Sequence, residues 1–345
     1  MKKIAAVGVL VLSISSIWFW LSYQQALDNN LNIQDASLDY SIKSGSSLSA
    51  VIYDLTNKNI ISHPRYLLWY ARLNGLSNKM KTGDYRLTKE LTVKEFLDNI
   101  FTGKVIQFSL TIIEGWSFDQ LLDAVNKHPH IKHTVSNNSK DEIMMKLELE
   151  GVHYEGQFLP DTYHFPKQLL DVEFLKRAYL SMQRVLNKEW NKRAPNSIYK
   201  NPYEALIMAS IVEKETGKAS ERQEISGVFV RRLKKRMRLQ TDPTVIYGMG
   251  DKYKGNIRKR DLLRDTPYNT YRRRGLPPTP IALPGRDAIY AALHPAEGKT
   301  LYFVARGDGS HHFSETLKEH NKAVIKYQLK GRARSFSSYK HKNSK

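Results

Sequence analysis

The chain has 345 residues, 41% of them hydrophobic and 26% charged, a composition of ordinary globular material sized for two folded units with appendages. Collagen-like, prion-like and wholly disordered classes are excluded. It contains no cysteine, which rules out structural disulfides, a lipid-modified cysteine and thiolate metal sites. A net charge of +20, with a pI near 9.8, implies attraction to polyanions.

After the stub at residues 1–3, "IAAVGVLVLSISSIWFWL" is an apolar run of about 18 residues, roughly enough to cross the hydrocarbon core, and residues 4–22 are expected to form a transmembrane anchor. A cleavable secretory signal would open in the same way. No small-x-small site follows, however, and Trp18, Phe19, Trp20 and Tyr23 occupy the stretch where cleavage would fall. Lys2 and Lys3 precede the run, whereas the first basic residue after it is Lys43, with Asp28, Asp35 and Asp39 between. The positive-inside rule therefore assigns the bulk of the chain to the extracytoplasmic side of an inner (plasma) membrane, as a single-pass protein. The polyanions on that side are phospholipid headgroups and wall polymers, so nucleic acid is not expected as a partner. "RRLKKRMR" at 231–238 and the acid-free tail 330–345 concentrate the charge; each reads as a solvated face or, for the tail, a disordered end.

Residues 23–38 are Asn- and Gln-rich without clear periodicity and read as a linker. From Tyr40 a short alternating strand, a Gly-Ser turn and helical spacing at Leu48, Val51, Ile52 and Leu55 follow in order. A second helix follows His63-Pro64, then a Gly-Asp turn, a strand through Tyr85 and Leu87, and a capped helix from Thr92. With "IKSGSSLSAVIYDL" at its head and "KTGDYRL" at its end, this strand-helix-helix-strand order resembles the LysM-like module of wall-binding proteins, and a small βααβ domain is expected over 39–104. A spacer domain with no ligand of its own is the alternative.

A larger α+β domain is expected over 105–329. "FSLTIIEGWSFDQLLDAV" reads as a strand, a turn at Glu114-Gly115 and an amphipathic helix from near Ser117. "EGQFLPDTYHFP" at 155–166 suits an ordered loop beside a groove, or a domain junction. The helix containing Ala205, Leu206, Ile207, Met208, Ala209, Ile211 and Val212 is too apolar for a surface and is expected at the centre of this domain.

That helix ends in Glu213 and Glu215, two residues and roughly 200° apart, so the two carboxyls cannot converge on one bond. Glu215 shares the apolar stripe, and desolvation there would raise its pKa and hold a proton near neutrality, as a general acid requires. Two solvated glutamates at a helix end are the plainer alternative. Downstream, "MRLQTDPTVIYGMG" and "PYNTYRRRGLPPTPIALPG" crowd Tyr268, Asn269 and Tyr271 among prolines, offering flat faces for pyranose rings and fixed polar groups for their hydroxyls. Walker, GxGxxG, HExxH and GxSxG motifs are all missing from the sequence. His311-His312 is the sole adjacent histidine pair and lacks a ligand-spaced partner, so neither a metal nor a cofactor is expected.

Taken in order, "ASIVEKET", "VFVRRL", "MRLQTDPTVIYGMG", "YNTY", "GLPPTPI", "AALHPA" and "HHFSETLKEHN", together with "EGQFLPDTYHFP", resemble the YceG-like family of endolytic murein transglycosylases from roughly Phe108 to Tyr327. The resemblance implies cleavage of peptidoglycan between N-acetylmuramic acid and N-acetylglucosamine to leave 1,6-anhydro ends, acting on nascent strands as a terminator of elongation. It also implies that the second acid of "EKE", Glu215, is catalytic. Glu213, Gln240, Asp242, Tyr247, Asn269 and Tyr271 are the candidate substrate-binding residues. Glycan strands are the expected partner, with peptidoglycan synthases of the penicillin-binding type as further candidates. Two competing readings stand beside this one. A non-catalytic wall-binding or division scaffold has no need of a half-buried acid, and a water-using hydrolase would need a second carboxylate, for which Asp242 is the nearest motif acid.

Overall fold

The computed structural model describes residues 2–329 and divides into two units, the first running to Phe108 with residues 164–169 added, the second holding the remainder. The basic tail at 330–345 lies outside the described residues. The first unit opens with α1 (Lys2–Asp28), followed by β1 (Ser37–Ile42), α2 (Leu48–Asn57), α3 (Pro64–Leu73), β2 (Gly83–Thr88) and α4 (Val93–Thr102). β1 and β2 pair antiparallel, with Tyr40 opposite Tyr85 and Leu38 opposite Leu87. Ser47 caps α2 by accepting the Ala50 N–H at 3.2 Å, and Thr92 and Glu95 form a capping box on α4.

α1 contains a 23-residue stretch, Ala6–Asp28, of mean hydropathy 1.7, long and apolar enough to cross a membrane and almost wholly exposed over its apolar window. Its last turns behave differently. Tyr23, Ala26 and Leu27 are buried, and Leu31 and Ile33 beyond the helix join Ile52, Leu55 and Leu97 in the core of the unit. The stretch 23–38 is therefore no free linker. The i, i+3, i+4 spacing of Tyr23, Ala26 and Leu27 supplies a helical face that the surrounding Gln and Asn residues mask.

Next in chain order come β3 (Gln107–Thr111), α5 (Phe118–Lys127), β4 (Ile131–Lys132), α6 (Lys140–Lys146), β5 (Thr162–Pro166), β6 (Leu169–Leu170), α7 (Asp171–Asn191) and α8 (Pro202–Glu215); the unit boundaries fall within β3, β5 and β6, and the other elements belong to the second unit. After these come α9 (Arg222–Lys234), α10 (Asp242–Met249), α11 (Lys259–Leu263), α12 (Arg286–Leu293), the hairpin β7 (Tyr302–Ala305) and β8 (His311–Ser314), and α13 (Leu317–Tyr327). α8 is apolar all round because neighbours cover it on every side: α7, α9, α10 and α12 all pack against it. Its residues dominate the core, with Met208, Ile211 and Val212 fully enclosed beside Ile289 and Leu293 of α12.

The basic run at 231–238 is not a uniformly solvated face. Arg231 sends Nε to the Thr300 carbonyl at 2.7 Å, and Arg232, which is buried, donates to the Leu301 and Leu239 carbonyls at 2.7 and 2.6 Å. These two side chains tie α9 to the approach of the hairpin. The exposed residues of the run are Lys234, Lys235, Arg236 and Arg238.

Candidate active site

Asn201 begins α8, its side-chain oxygen accepting the Glu204 N–H at 2.9 Å, and Pro202 occupies the first turn. From Ala205 to Val212 every residue is buried. The one hydroxyl among them, Ser210, donates to the Ile207 carbonyl at 2.7 Å and accepts the Ile281 N–H at 3.0 Å. The helix stops at Glu215 because Thr216 turns extended, at φ −145° and ψ 133°.

The two glutamates at this end diverge as their spacing dictates. Glu213 is buried against a cluster in which its carboxylate accepts the Gly285 N–H at 2.9 Å and faces Arg222 at 3.5 Å, while Arg222 also reaches Asp287 at 3.1 Å and Glu114 at 3.3 Å. Burial raises the Glu213 pKa, with the Gly285 N–H opposing. A Cβ at Gly285 would run into the Glu114 carboxylate, so a larger residue there would displace that side chain from its place beside Arg222. Glu213 is thus committed to an ion-pair cluster that joins the Glu114 turn to the start of α12.

Glu215 points elsewhere. The Thr241 hydroxyl donates to its Oε1, and Thr241 is itself held in a knot of hydroxyls: its N–H donates to Thr270 Oγ1 at 3.1 Å, and its carbonyl accepts from Thr244 Oγ1 at 2.8 Å. Thr241, Thr244 and Thr270 are buried, while Glu215 keeps partial contact with solvent. Burial pushes the Glu215 carboxyl up to about 7, the Thr241 hydroxyl opposes the shift, Asp242 adds to it, and His311 and Arg232 pull it back. The result is one carboxyl able to hold or release a proton at neutral pH, at the rim of a buried helix.

Around it, Asp242 is exposed as the first residue of α10 and accepts the Tyr271 hydroxyl at 2.6 Å. Burial, then the Asp242 charge, raises the Tyr271 pKa, so its hydroxyl stays a donor. Gln240 is exposed, in the left-handed region at φ 53°, with its N–H donating to the Thr270 carbonyl at 3.2 Å. Asn269 is turned inward. It is 1% exposed, its amide nitrogen donates to the carbonyls of Asp261, Leu262 and Arg264, and its oxygen accepts the Tyr271 N–H at 2.9 Å. It is the clamp that shapes the loop and aims Tyr271.

Tyr247 is turned towards a second buried acid. Its hydroxyl donates to Glu155 Oε2 at 3.1 Å, the other oxygen of Glu155 accepts the Phe118 N–H at 2.9 Å, and its ring meets Tyr268 edge-on at 4.9 Å. Glu155 is 2% exposed, and burial raises its pKa to about 7 against both hydrogen bonds. Sequence reasoning missed Thr241 and Glu155. Thr241 stands beside the Asp-Pro turn that drew attention to Asp242, and Glu155 opens the "EGQFLPDTYHFP" segment. An acid followed by Gly in an otherwise apolar, proline-bearing segment was the available signal.

Two cavities lie away from Glu215. One of about 550 Å³ is lined by Tyr203, Glu204, Ile207, Leu276 and Pro278, beside the first half of α8. Glu204 is eleven residues from Glu215, about 16 Å along the helix axis, which separates this hollow from the reactive carboxyl. Another, of about 540 Å³, adjoins the far end of α10 and carries Lys252, Lys254, Arg258, Arg260 and Arg264.

Comparison with known proteins identifies the family of the chain. A family profile described as the YceG-like family matches residues 40–326. The chain is 33% identical over 311 residues to an endolytic murein transglycosylase of Bacillus subtilis, covering 84% of this chain and 85% of that protein. It is 25% identical over 355 residues to an endolytic murein transglycosylase of Streptococcus pneumoniae, covering 92% of this chain and 64% of that protein. Among solved structures, a yceG-like protein from Listeria monocytogenes superimposes with a TM-score of 0.51 at 29% identity, over 83% of this chain and 99% of that one.

Proposed function

The chain belongs to the YceG-like family, and we propose that it is a membrane-anchored endolytic murein transglycosylase in which Glu215 alone performs the acid and base steps. The observation that carries the reading is the single carboxyl of Glu215, pushed up to about 7 by burial and fixed by the Thr241 hydroxyl. A neutral Glu215 protonates the glycosidic oxygen between N-acetylmuramic acid and N-acetylglucosamine as the bond from that oxygen to the anomeric carbon breaks. The resulting carboxylate then takes the proton from the sugar's own C6 hydroxyl as O6 bonds to the anomeric carbon. The strand is cut, a 1,6-anhydro end forms, and Glu215 is neutral again. Water is not consumed, and no second carboxylate is required, unlike the two-acid arrangements of ordinary glycosidases.

In this reading Asp242 and Tyr271, joined by their 2.6 Å hydrogen bond, flank the reacting sugars, and Gln240 offers an exposed amide. α1 crosses the inner membrane with Lys2 and Lys3 on the cytoplasmic side, so that the enzyme meets nascent strands, in company with peptidoglycan synthases, and limits their length. The βααβ order of the first unit supports a LysM-like role in holding glycan.

Mass analysis of products from purified glycan strands tests the reaction. Anhydro-terminated fragments are expected, and Glu215→Gln should reduce their formation by about 10²- to 10⁴-fold while leaving glycan binding intact. Reducing-end products would assign water as the nucleophile and overturn the lytic route.

A further inference from the structure

In the first unit α1 and α3 meet so that Phe19 packs edge-on against both Tyr66 and Trp69, each with ring centroids 5.5 Å apart. Tyr66 continues the contact to Tyr23 at 5.9 Å. Beside these rings lies an open groove of about 550 Å³ lined by Phe19, His63, Pro64, Arg65, Tyr66 and Trp69. His63 precedes α3 in the left-handed region at φ 57°, with its ring 5.7 Å from that of Tyr66.

α3 turns one face inward through Leu67 and Ala71, which are fully buried. Its outward face is unusual for a helix meeting only water. Arg65, Trp69, Arg72 and Leu73 follow at i, i+4, i+7 and i+8, on one side of the helix. Trp69 is 48% exposed and Leu73 75% exposed, and α3 contains no acidic residue. A cationic rim around exposed tryptophan and leucine is the pattern of a helix lying in a bilayer surface.

The depth of the groove follows from α1. The apolar run from Ile4 to Leu21 spans about 27 Å at 1.5 Å per residue, close to the thickness of the hydrocarbon core. Phe19 stands two residues from its end, so it sits within about 3 Å of the hydrocarbon boundary when the run spans the bilayer. Trp18 and Trp20, both exposed, stand at the same level, as aromatic belts do. The rings that Phe19 touches, and the groove beside them, are therefore fixed at headgroup depth.

We infer that this groove and the outward face of α3 form a phospholipid site, in which Arg65 and Arg72 engage an anionic headgroup while Trp69 and Leu73 enter the upper acyl region. The inference rests on the reading of α1 as a membrane span. It gives the first unit a second attachment to the bilayer, tens of residues beyond the anchor in sequence, and confines how that unit is held over the surface. The occupant is lipid because the patch is continuous in depth with the apolar surface of α1 and its charge complements phosphate.

The chain has no native cysteine, so a single introduced cysteine carries a nitroxide without background. The full chain is labelled in turn at Leu12→Cys in α1, Leu73→Cys in α3 and Tyr53→Cys in α2, all three positions being exposed. Each is reconstituted into vesicles of phosphatidylcholine with or without phosphatidylglycerol. Accessibility to oxygen and to a water-soluble nickel complex then reports depth. The expected result is a deep label at position 12, an interfacial label at 73 with nickel accessibility several-fold below that at 53, and an aqueous label at 53. Adding Arg65→Gln and Arg72→Gln should move the label at 73 towards water, more so in the vesicles containing phosphatidylglycerol. A deep label at 12 with an aqueous label at 73 overturns the lipid site and leaves the anchor standing. A label at 73 shielded from both reagents assigns the patch to a protein contact and also overturns it. Aqueous labels at both 12 and 73 remove the anchor and the inference together.

Discussion

Thr241 donates its hydroxyl to Glu215, and the next residue in the chain, Asp242, presents a like charge to the same carboxyl. The two neighbours act on the proton of Glu215 in opposite directions. The threonine bond favours the carboxylate and the aspartate disfavours it. Thr241→Val should therefore raise the Glu215 pKa and move the alkaline limb of the cleavage profile to higher pH, whereas Asp242→Asn should move that limb to lower pH. Thr241→Val should also slow turnover by about 10-fold, the worth of one hydrogen bond to a charged group. Initial rates of anhydro-product release across a pH series, for the two variants and the parent, give the answer; shifts in the same direction would refute the assignment.

Glu213→Gln should behave differently from Glu215→Gln despite its place two residues away. Glu213 belongs to the cluster around Arg222, so its loss should leave cleavage within a few-fold of the parent and show itself as a modest change in the denaturation midpoint. Arg222→Gln is the severe change in that cluster, because it leaves the buried Glu213 carboxyl without its guanidinium, with Glu114 and Asp287 close by. A loss of about 3 kcal/mol is expected from unpairing a buried charge. Urea titrations of the three proteins, alongside their rates, distinguish a catalytic from a structural glutamate.

The contrast between these two glutamates was legible in the sequence, since the 200° separation follows from spacing alone and α8 is apolar enough to be recognised as central. The strands and helices of the first unit were legible for the same reason, their caps and periodicity being local. What was hidden depends on residues brought together across long separations. Glu155 meets Tyr247 across 92 positions, and Thr241 meets Thr270 across 29. Asn269 looked like a sugar ligand because an exposed and a buried amide are spelled alike, and only the carbonyls of residues 261, 262 and 264 reveal its use. The arginines at 231 and 232 misled for a similar reason: a basic run reads as solvated until the carbonyls that receive it are folded into reach.

Gly156 should tolerate no side chain. It adopts φ +80°, and a Cβ there would stand 2.4 Å from Cβ and 2.6 Å from Cγ of Pro280, a ring that cannot swing aside. Gly151, at φ +76°, has open space where its Cβ would go. Gly151→Ala should therefore show only the backbone cost of about 1–2 kcal/mol, and Gly156→Ala should add about 1–3 kcal/mol of overpacking. Because Gly156 follows Glu155, the clash should also loosen the Glu155–Tyr247 bond and lower activity. Equal midpoints for the two variants would show that the loop moves freely away from Pro280.

Glu215 and Glu155 together set a pH dependence on stability whose sign is opposite to that of ordinary surface carboxylates. Both are raised to about 7 from an ordinary value of 4.5, so between those limits the folded chain binds protons that the unfolded chain has released. Their favourable contribution is complete below 4.5 and is lost as pH rises through 7. His320 works against them. Burial first, then Arg232 and His312, depress it from 6.5 to about 4, so its contribution is present above 6.5 and is lost as pH falls towards 4. The parent protein therefore mixes opposing slopes, and the clean measurement is a difference between variant and parent. Glu215→Gln and Glu155→Gln each remove one raised acid. Relative to the parent, each should gain stability on passing from about pH 5 to about pH 8, with His320 common to both proteins and cancelling from the comparison. Glu155→Gln also disturbs the two hydrogen bonds that Glu155 accepts, from the Phe118 N–H and the Tyr247 hydroxyl, so its absolute stability should fall at acid pH while its relative gain with pH persists. Thermal midpoints at the two pH values test this directly. A variant whose difference from the parent stays constant across that interval would show that the replaced carboxyl titrates at its ordinary value, and for Glu215 that result would also remove the physical basis for its acting as the proton donor.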